Sequence, residues 1–337
     1  MDGYKDQLIV VAGAGGFIGG SLVGELLRRG CTRVRAVDVK PFDGWWQRHG
    51  GAENTRLDLM EREACRAACR GAAVVFQHAS DMGGMGFIDS NKCKCMLNVL
   101  ITAHMLMAAR ETGVKRFYFP SSACVYHPHR PRELEGVPFK ETDAYPANPE
   151  DGYGWEKLYC ERLCRHFRED FGLETRVARY HPIYGPHGSW DDGRERVVAA
   201  VCRKVAAAKL SGRHEIEIWG DGNQTRSFLY IDDCLDGTIR LTMSAHPDPV
   251  NMGARDVISI NRLVDLVSEA AGVRLIKRHK LDAPRGLDGM ISDNSAIREA
   301  TGWVPSTDLR EGLARTYRWI HDQYAAKHGA GAVRVTG

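Results

Sequence analysis

The sequence lacks any apolar run of the roughly 18–20 residues that a membrane-spanning helix requires. Its 46 basic and 43 acidic residues leave a formal net charge of only +3. No block of Lys and Arg resembles the basic stripe of a nucleic-acid-binding surface. The first residues lead into a strand pattern without the hydrophobic segment of a signal peptide. We therefore expect a cytoplasmic protein with no membrane and no nucleic-acid partner.

The sequence also has little that predicts a disulfide framework or a metal site. Ten cysteines are few for a chain of 337 residues. Cys93 and Cys95 lack a second Cys or His pair at zinc spacing, so we expect no metal. Four other cysteines form two pairs with a spacing of four residues inside helical patterns, which indicates packing. We expect reduced thiols.

A glycine-rich loop follows the first predicted strand, residues 8–12. Gly13, Gly16 and Gly19 have a Gly-x-x-Gly-x-x-Gly spacing and lead into a helix predicted over residues 21–29. Glycines permit a tight turn and the close approach of a pyrophosphate, which the free N–H groups of the helix N-terminus then face. The spacing alone is weak evidence, but its strand–loop–helix context is the one that dinucleotide binding requires.

An acidic residue ends the second predicted strand, residues 33–38. The Asp38 carboxylate can accept hydrogen bonds from both ribose hydroxyls and would repel a 2′-phosphate, which favours NAD over NADP. The plainer interpretation is an Asp that only ends a strand. Asp58 and Leu59 follow the next short strand and are predicted to lie against the adenine. Ala79, at the small-residue end of a fourth strand, is predicted to lie beside the cofactor's phosphates.

The alternation of strands and helices predicts an α/β fold with a doubly wound parallel sheet of the Rossmann type. We assign residues 1–180 to an NAD-binding domain, to which segments near residues 227–255 return. From about residue 181, Pro and Gly punctuate the sequence. Residues 181–330 are predicted to form mainly a smaller, mixed α/β substrate-binding domain.

Residues 116–126 form an aromatic and β-branched run that breaks into small hydroxyl residues. The pattern predicts a buried parallel strand whose carboxyl end brings Ser121, Ser122 and Cys124 to a surface. In open α/β sheets, ligands bind at the carboxyl ends of the strands. This stretch is therefore the first half of a candidate catalytic site.

The second half is a Tyr and a Lys placed four residues apart. Tyr153 and Lys157 share one face if residues 153–164 form the predicted helix. A cation beside a phenol favours the phenolate, so we expect a lowered pKa and a role in proton transfer. A solvated helix face with an extended Lys is the plainer interpretation. A nucleotide fold upstream and a Ser-bearing strand end favour the catalytic one.

Together these motifs resemble the extended short-chain dehydrogenase/reductase family of nucleotide-sugar epimerases and dehydratases. The resemblance spans essentially the whole chain and is carried by Gly13, Gly16, Gly19, Asp38, Asp58, Leu59, Ser122, Tyr153, Lys157 and the run Tyr184-Gly185-Pro186. Three further stretches, residues 79–87, 121–126 and 219–228, resemble the branch that epimerises GDP-mannose. The thiol of Cys124 is a specific sign, because most extended members carry Thr or Ser there.

The resemblance implies two sets of binding residues. Tightly held NAD would contact Gly13, Gly16, Phe17, Ile18, Gly19, Asp38, Asp58, Leu59, Ala79, Tyr153 and Lys157. The nucleotide sugar would contact Gly83, Ser122, Ala123, Cys124, Glu195, Arg196, Lys204, Gln224, Arg226 and Arg285. It also implies a homodimer formed through helices near residues 92–110 and 154–171.

The chemistry implied by the resemblance begins with oxidation of sugar C4 by NAD. Tyr153 would remove the C4 hydroxyl proton, supported by Lys157, while Ser122 hydrogen-bonds the same oxygen. The 4-ketone acidifies the hydrogens at C3 and C5. Cys124 would abstract such a hydrogen, and a thiol whose pKa is lowered by nearby cations suits that role. Hydride return to C4 leaves no net redox change. The plainer interpretation of Cys124 is a small core residue.

The sequence departs from the family pattern at the opposing acid. In that branch a Lys is the acid that acts on the ring face opposite the base. Arg196 stands at its position here, while Lys204 matches a second Lys that contacts substrate. Pro182 and the altered segment 285–290 are further departures. A guanidinium is a poor proton donor, so we expect reprotonation through water or Lys204, and inversion at C5 with GDP-L-gulose as the main product, and GDP-L-galactose if C3 is also inverted. Pairing of Arg196 with Glu195 or the diphosphate is the plainer alternative.

Three other functions remain open from the sequence. A 4-epimerase needs no thiol base, and a 4,6-dehydratase of this family usually has an Asp-Glu pair where this chain has Ala123 and Cys124. A cofactor-binding scaffold without turnover is the alternative from another class. It is disfavoured because Tyr153 and Lys157 are both present.

Overall fold

A computed structural model describes residues 2–127, 136–282 and 291–329 of the chain. The strands are β1 Leu8–Ala12, β2 Val34–Asp38, β3 Glu53–Arg56, β4 Ala72–Gln77, β5 Arg116–Ser122, β6 Glu174–Tyr180, β7 Ile183–Tyr184, β8 Glu215–Trp219, β9 Thr225–Ser227, β10 Leu229–Tyr230, β11 Val250–Met252, β12 Val257–Ser259 and β13 Ile276–Lys280. The helices are α1 Phe17–Arg28, α2 Arg62–Cys69, α3 Met85–Ser90, α4 Lys92–Met96, α5 Asn98–Glu111, α6 Asp151–Phe171, α7 Val197–Ser211, α8 Ile231–Met243, α9 Ile260–Ala271, α10 Ser295–Thr301 and α11 Leu309–His328.

Seven strands form one sheet in the order β11-β6-β5-β4-β1-β2-β3. Every neighbouring pair in this sheet is parallel. Parallel strands are covered on both faces, which explains why β1 and β4 are buried along their whole length and apolar except for Gln77 at the end of β4. The predicted doubly wound parallel sheet is confirmed.

The side chains of β1 alternate between two hydrophobic cores. Ile9 and Val11 lie in the core beneath α1 and α8, whereas Leu8, Val10 and Ala12 lie in the core beneath α2, α5 and α6. Successive side chains of a strand point to opposite faces, so one apolar run fills both layers. The carboxyl ends of β1, β2, β4 and β5 consequently meet at one edge, where the candidate site is built.

The later part of the chain forms a smaller unit and also returns to the sheet. β8 and β13 pair in parallel, and α7, α9 and α11 pack on one another beside them. β11 adds to the edge of the main sheet through β6. The domain boundary near residue 180 stays a prediction. No helix within the described ranges is long and apolar enough to cross a membrane.

Two predicted helix starts are wrong. α1 begins at Phe17, four residues before the predicted start, so Phe17 and Ile18 lie in its first turn and Gly16 is its N-cap. The sequence of residues 194–209 also predicts a helix, but α7 begins only at Val197, with Arg196 as its extended N-cap. Helix propensity misplaces both boundaries, because it is low for the glycines at the start of α1 and high for the Arg and Glu residues before α7, and tertiary packing decides instead.

A buried ion pair lies under the end of β5. Arg179 on β6 donates two hydrogen bonds to the Glu161 carboxylate on α6, at 3.0 and 2.8 Å, and both side chains are only 2% exposed. Ser121 Oγ donates to the same carboxylate at 2.5 Å. Arg179 also donates to Tyr126 Oη and to the carbonyl of Glu141. The network locks α6 against β5 and β6.

We predict that Glu161→Gln destabilises the protein by about 3–5 kcal/mol, because it leaves the Arg179 charge buried without its counter-charge. Urea unfolding measures the loss. Glu169→Gln is the matched control on the same helix, since Glu169 pairs with Arg165 at the exposed surface and its substitution is expected to change nothing measurable. Equal stability of the two variants would contradict a structural role for the buried pair.

Candidate active site

The glycine loop between β1 and α1 is a close-packed turn. Gly13 adopts the left-handed φ of +78°, and a Cβ on Gly19 would overlap the carbonyl oxygen of Gly13. The N-cap Gly16 has no side chain that could accept hydrogen bonds from the first turn of α1. The backbone N–H groups of that turn are therefore available to bind an anion. The loop therefore has the shape that a dinucleotide pyrophosphate requires.

Asp38 is fixed beside that loop at the end of β2. Its carboxylate accepts hydrogen bonds from the backbone N–H groups of Gly15, at 2.9 Å, and Lys40, at 3.0 Å. The side chain is 7% exposed. A carboxylate has further lone pairs available for ribose hydroxyls. The side chain is thus positioned by the fold rather than merely ending a strand.

The remaining cofactor candidates line the same edge of the sheet. The backbone N–H of Leu57 bonds the carbonyl of Asp38, which brings the segment of Asp58 and Leu59 beside β2. Leu59 is buried, and exposed Asp58 accepts a hydrogen bond from the backbone of Met60. The backbone of Ala79 is held by the amide side chain of Gln77. Their contacts to a cofactor stay predictions.

The two neighbouring serines at the end of β5 have different environments. Ser121 is buried and hydrogen-bonded to Glu161, so the expectation that it reaches the site is wrong. Neighbouring side chains of a strand point to opposite faces, and only Ser122 faces the candidate site. Its Oγ accepts from the backbone N–H of Cys124 at 3.2 Å and so caps the 3-10 turn Ala123–Val125. Cys124 is therefore held by a turn directly after the strand.

α6 carries the Tyr and the Lys and packs tightly against this turn. A Cβ on Gly154 would overlap the carbonyl oxygen of Cys124, so only Gly fits there. Tyr153 and Lys157 are 5% and 4% exposed, and the Lys157 ammonium lies 5.5 Å from the centre of the Tyr153 ring. The pair is buried, which excludes the solvated-face interpretation. Glu156 Oε2 lies 3.4 Å from the ammonium and supplies its counter-charge.

The pKa of the Tyr153 phenol lies above its ordinary value, whereas the sequence predicts a lowered one. Burial is the largest cause, and it outweighs the opposing electrostatic effect of Lys157. The Tyr–Lys spacing carries no information on burial, which is why sequence reasoning gave the wrong sign. Lys157 itself stays protonated, because Glu156 and Tyr153 outweigh burial and raise its pKa.

The Cys124 thiol is likewise harder to ionise than predicted. Burial raises its pKa to about 12, and the neighbouring Glu150 carboxylate acts in the same direction. Ser122 and Arg196 oppose this, but more weakly. The expected lowering by cations is therefore wrong for this geometry. Cys124 packs with Tyr153 in one small apolar cluster, so the thiol and the phenol share a pocket.

Met82 connects the two sides of the pocket, and sequence reasoning missed it. Its Sδ lies 3.7 Å from Tyr153 Oη and 3.5 Å from a guanidinium nitrogen of Arg196. Asp81, beside it, is tied to Arg194 at 2.6 Å. The loop after β4 therefore packs on the segment before α7 and brings Arg196 towards Tyr153. The only sequence signal was its place within residues 79–87.

The other predicted substrate residues lie on several different elements. Glu195 pairs with Arg203 at 2.8 Å and makes no described ion pair with Arg196. Arg226 faces Glu150 electrostatically. The backbones of Gly83 and Gly84 pack against residues 194–196, Ala123 is buried in the turn, and Gln224 Nε2 donates to the Trp219 carbonyl. Arg285 lies outside the described residues.

Lys204 is held on the side of β8. Its ammonium donates to the carbonyl of Glu217 at 3.0 Å and lies 5.8 Å from the Trp219 ring centre. Burial lowers its pKa. Within the described ranges no contact joins it to Tyr153 or Cys124. Its roles in substrate contact and proton transfer stay predictions.

Within the described ranges, no group of three or more His, Cys, Asp or Glu side chains is arranged to hold a metal ion.

Sequence reasoning also missed two charged residues near the start of α6: Glu150, which is its N-cap, and Glu156, which lies within its first turns. Both stand close in sequence to Tyr153. That proximity was the available signal, although it did not indicate which side chain each would contact.

Residues 9–253 match the model of the NAD dependent epimerase/dehydratase family. The chain is 42% identical to GDP-mannose 3,5-epimerase of Arabidopsis thaliana over 96% of its own length and 85% of the relative's. It is 43% identical to GDP-mannose 3,5-epimerase 1 of Oryza sativa subsp. japonica, covering 94% and 82%. The structure of UDP-glucose 4-epimerase from Thermotoga maritima, solved with UDP-glucose, has a TM-score of 0.82 at 24% identity, covering 94% of this chain and 99% of that one.

We predict that Asp38→Ala lowers the affinity for NAD(H) by on the order of tenfold to a hundredfold, as expected when hydrogen bonds to a charged group are lost. Extraction and chromatography of the copurified cofactor, with a titration of the stripped protein, measure the effect. Asp43→Ala, at an exposed carboxylate of the following segment, is the control. Extracted cofactor that is mainly NADP(H) would overturn the assignment.

Proposed function

Because the chain belongs to the NAD dependent epimerase/dehydratase family, we propose that it is an isomerase that epimerises GDP-mannose at C5, and at C3 to a lesser extent. The substrate is supported by the 42% identity to GDP-mannose 3,5-epimerase along 96% of the chain. One structural observation carries the mechanism: Cys124 and Tyr153 pack together in one pocket, with the glycine cradle at the same edge of the sheet. Tyr153, which takes the C4 hydroxyl proton during oxidation, and Cys124, the base for the α-proton, therefore act on one sugar ring.

The residues of the first step are Tyr153, Lys157 and Ser122. When bound, NAD supplies the reversible two-electron oxidation of sugar C4. Tyr153 accepts the proton of the C4 hydroxyl, and the positive charge of Lys157 stabilises the phenolate that must form. Ser122 Oγ, held by the backbone N–H of Cys124, hydrogen-bonds the sugar oxygen. Burial of the pair keeps water from competing for that proton.

The second step is proton transfer at the carbon next to the 4-ketone. The ketone makes the C5 and C3 hydrogens acidic, and Cys124 is the residue beside Tyr153 that accepts such a proton. Inversion requires a proton to return on the opposite ring face. Arg196 projects from the segment before α7 and faces Cys124 electrostatically. Its fixed donors stabilise an enolate but donate a proton poorly, so water completes the second transfer.

Two further assignments, a homodimer and a cytoplasmic location, are supported by exposed apolar side chains and by the free cysteines. Large apolar side chains are exposed along α4, α5 and α6, namely Met96, Leu97, Leu100, Trp155 and Tyr159, and support a homodimer through these helices. All ten cysteines are free thiols, which supports a reducing compartment such as the cytoplasm.

The function is tested by incubating the protein with GDP-mannose in D₂O and locating deuterium by NMR. We expect deuterium at C5 of an inverted sugar and less at C3. Exchange at neither carbon, or inversion at C4 alone, would contradict the proposal and favour a 4-epimerase.

We predict that Tyr153→Phe abolishes both the transient absorbance of reduced nicotinamide and all deuterium exchange. Oxidation at C4 must precede acidification of C5, and loss of a general base costs roughly 10²–10⁴-fold. Tyr159→Phe, on the exposed face of the same helix, should retain both signals. Exchange without Tyr153 would remove oxidation from the mechanism.

We predict that Arg196→Lys shifts the product ratio from GDP-L-gulose towards GDP-L-galactose, because an ammonium can donate the proton that a guanidinium retains. NMR of the two products measures the ratio. Arg194→Lys is the control, since Arg194 pairs with Asp81 rather than facing the thiol. Wild-type protein that already makes mainly the doubly inverted sugar would contradict the argument.

A further inference from the structure

Residues 45–49, here called the strap, lie along the glycine loop and α1. Every second strap residue packs over a glycine: a Cβ added to Gly15, Gly20 or Gly24 would lie only 2.9, 3.2 or 2.8 Å from atoms of Trp45, Gln47 or His49. Two side chains also bond there. Gln47 Nε2 donates to Ser21 Oγ at 2.8 Å, and His49 Nε2 lies 3.0 Å from the Gly20 carbonyl oxygen. Glycines on α1 and its loop therefore provide the room that the strap occupies.

The strap fixes the two groups that are predicted to hold NAD. The backbone N–H of Gly15 donates to the Asp38 carboxylate at 2.9 Å. The carbonyl of Gly15 accepts from the backbone N–H of Trp46 at 3.3 Å and from Lys40 Nζ at 3.4 Å. Trp45 Nε1 donates to the Lys40 carbonyl at 3.1 Å. The glycine loop, Asp38 and the strap are thus tied together through one peptide unit.

The strap is fastened to the rest of the molecule by a contact between two tryptophans. The Trp46 ring packs edge-on against Trp319 of α11, with 6.1 Å between the ring centres. The Trp319 ring also lies 5.1 Å from His187. The turn of residues 185–188 packs on Phe17, because a Cβ at either of its glycines would lie 3.3 Å from the Phe17 ring. Trp319 therefore joins the strap to the turn that covers the first turn of α1.

We propose that Trp46 and Trp319 are positioning residues that fasten the strap and so retain NAD(H) through a whole catalytic cycle. The reason for retention rests on the proposed function, in which the hydride taken from sugar C4 has to be returned to the same sugar. If the reduced cofactor were released in between, NADH, a proton and a 4-keto sugar would be the products, and no sugar would be epimerised. Slow release is therefore a requirement of the reaction, and the fastened strap supplies it.

Release of NADH in the absence of sugar tests the fastening. Protein loaded with NADH is mixed with pyruvate and lactate dehydrogenase, which oxidise only the released cofactor, and the loss of absorbance gives the release rate constant. We expect Trp46→Ala to raise it on the order of threefold to tenfold, the effect of losing one aromatic pair. Trp46→Phe keeps an aromatic ring and should stay within about twofold of wild type. A wild-type rate in Trp46→Ala overturns the proposal.

The double variant distinguishes this contact from a general loosening of the fold. Once Trp319→Ala has removed the contact, Trp46→Ala has nothing further to break, so the double variant should release NADH no faster than Trp319→Ala alone. Effects that multiply would show that the two rings act independently, and would overturn the fastening.

Tyr324→Ala is the matched control on the same helix. The Tyr324 ring packs on Trp190, at 6.2 Å, and on His328, at 4.2 Å, and none of its described ring contacts reaches the strap. Its release rate should equal that of wild type. A rise as large as that of Trp319→Ala would attribute the effect to α11 as a whole and overturn the proposal.

Incubation with GDP-mannose gives a second readout. Trp46→Ala should release NADH and a 4-keto sugar in equal amounts and lose activity that added NAD restores, whereas wild-type protein should release neither. Equal retention of NADH by both proteins during turnover overturns the proposal. If wild-type protein does not act on GDP-mannose, the proposed function fails. The release rates measured without sugar still decide whether the strap is fastened.

Discussion

The packing of the N-terminal end of α6 on the backbone of Cys124 is the constraint on which the candidate site depends. Gly154 touches the Cys124 carbonyl, and the backbone N–H of Glu150 bonds it. This contact sets the rotation and height of α6, and therefore where Tyr153 stands relative to the end of β5. A larger residue at position 154 would separate the helix from the turn and disperse the reacting groups.

α6 also carries two charge pairs with different tasks. Glu161 and Arg179 are buried and satisfied by several hydrogen bonds, and they hold the helix to β6. Glu156 and Lys157 lie one turn nearer to the site, where Glu156 keeps a buried ammonium charged. The structural pair fixes the helix so that the second pair can present a positive charge to Tyr153. Buried ion pairs on one helix thus stabilise the fold and position the charge that the chemistry requires.

Repetitive features of the fold could be predicted from the sequence, whereas contacts between distant segments could not. Apolar runs and glycine spacing predicted the parallel sheet, the loop at Gly13 and the helix of Tyr153, because each is encoded within a short stretch. The inward orientation of Ser121 depends on Glu161 and Arg179, which are 40 and 58 residues away in the sequence. The raised pKa values of Tyr153 and Cys124 depend on burial, which residue spacing does not report. The role of Met82 could not be predicted either, because its contacts with Tyr153 and Arg196 join segments that are distant in the sequence.

The central claim is that oxidation at C4 and proton exchange at C5 are performed by different side chains in one pocket. Cys124→Ala in D₂O with GDP-mannose tests it most directly. The account predicts that reduced nicotinamide still forms, through Tyr153 and Lys157, while deuterium incorporation at C5 falls by roughly 10²–10⁴-fold. Deuterium incorporation within tenfold of the wild-type rate would contradict the account, since it would show that another group abstracts the α-proton.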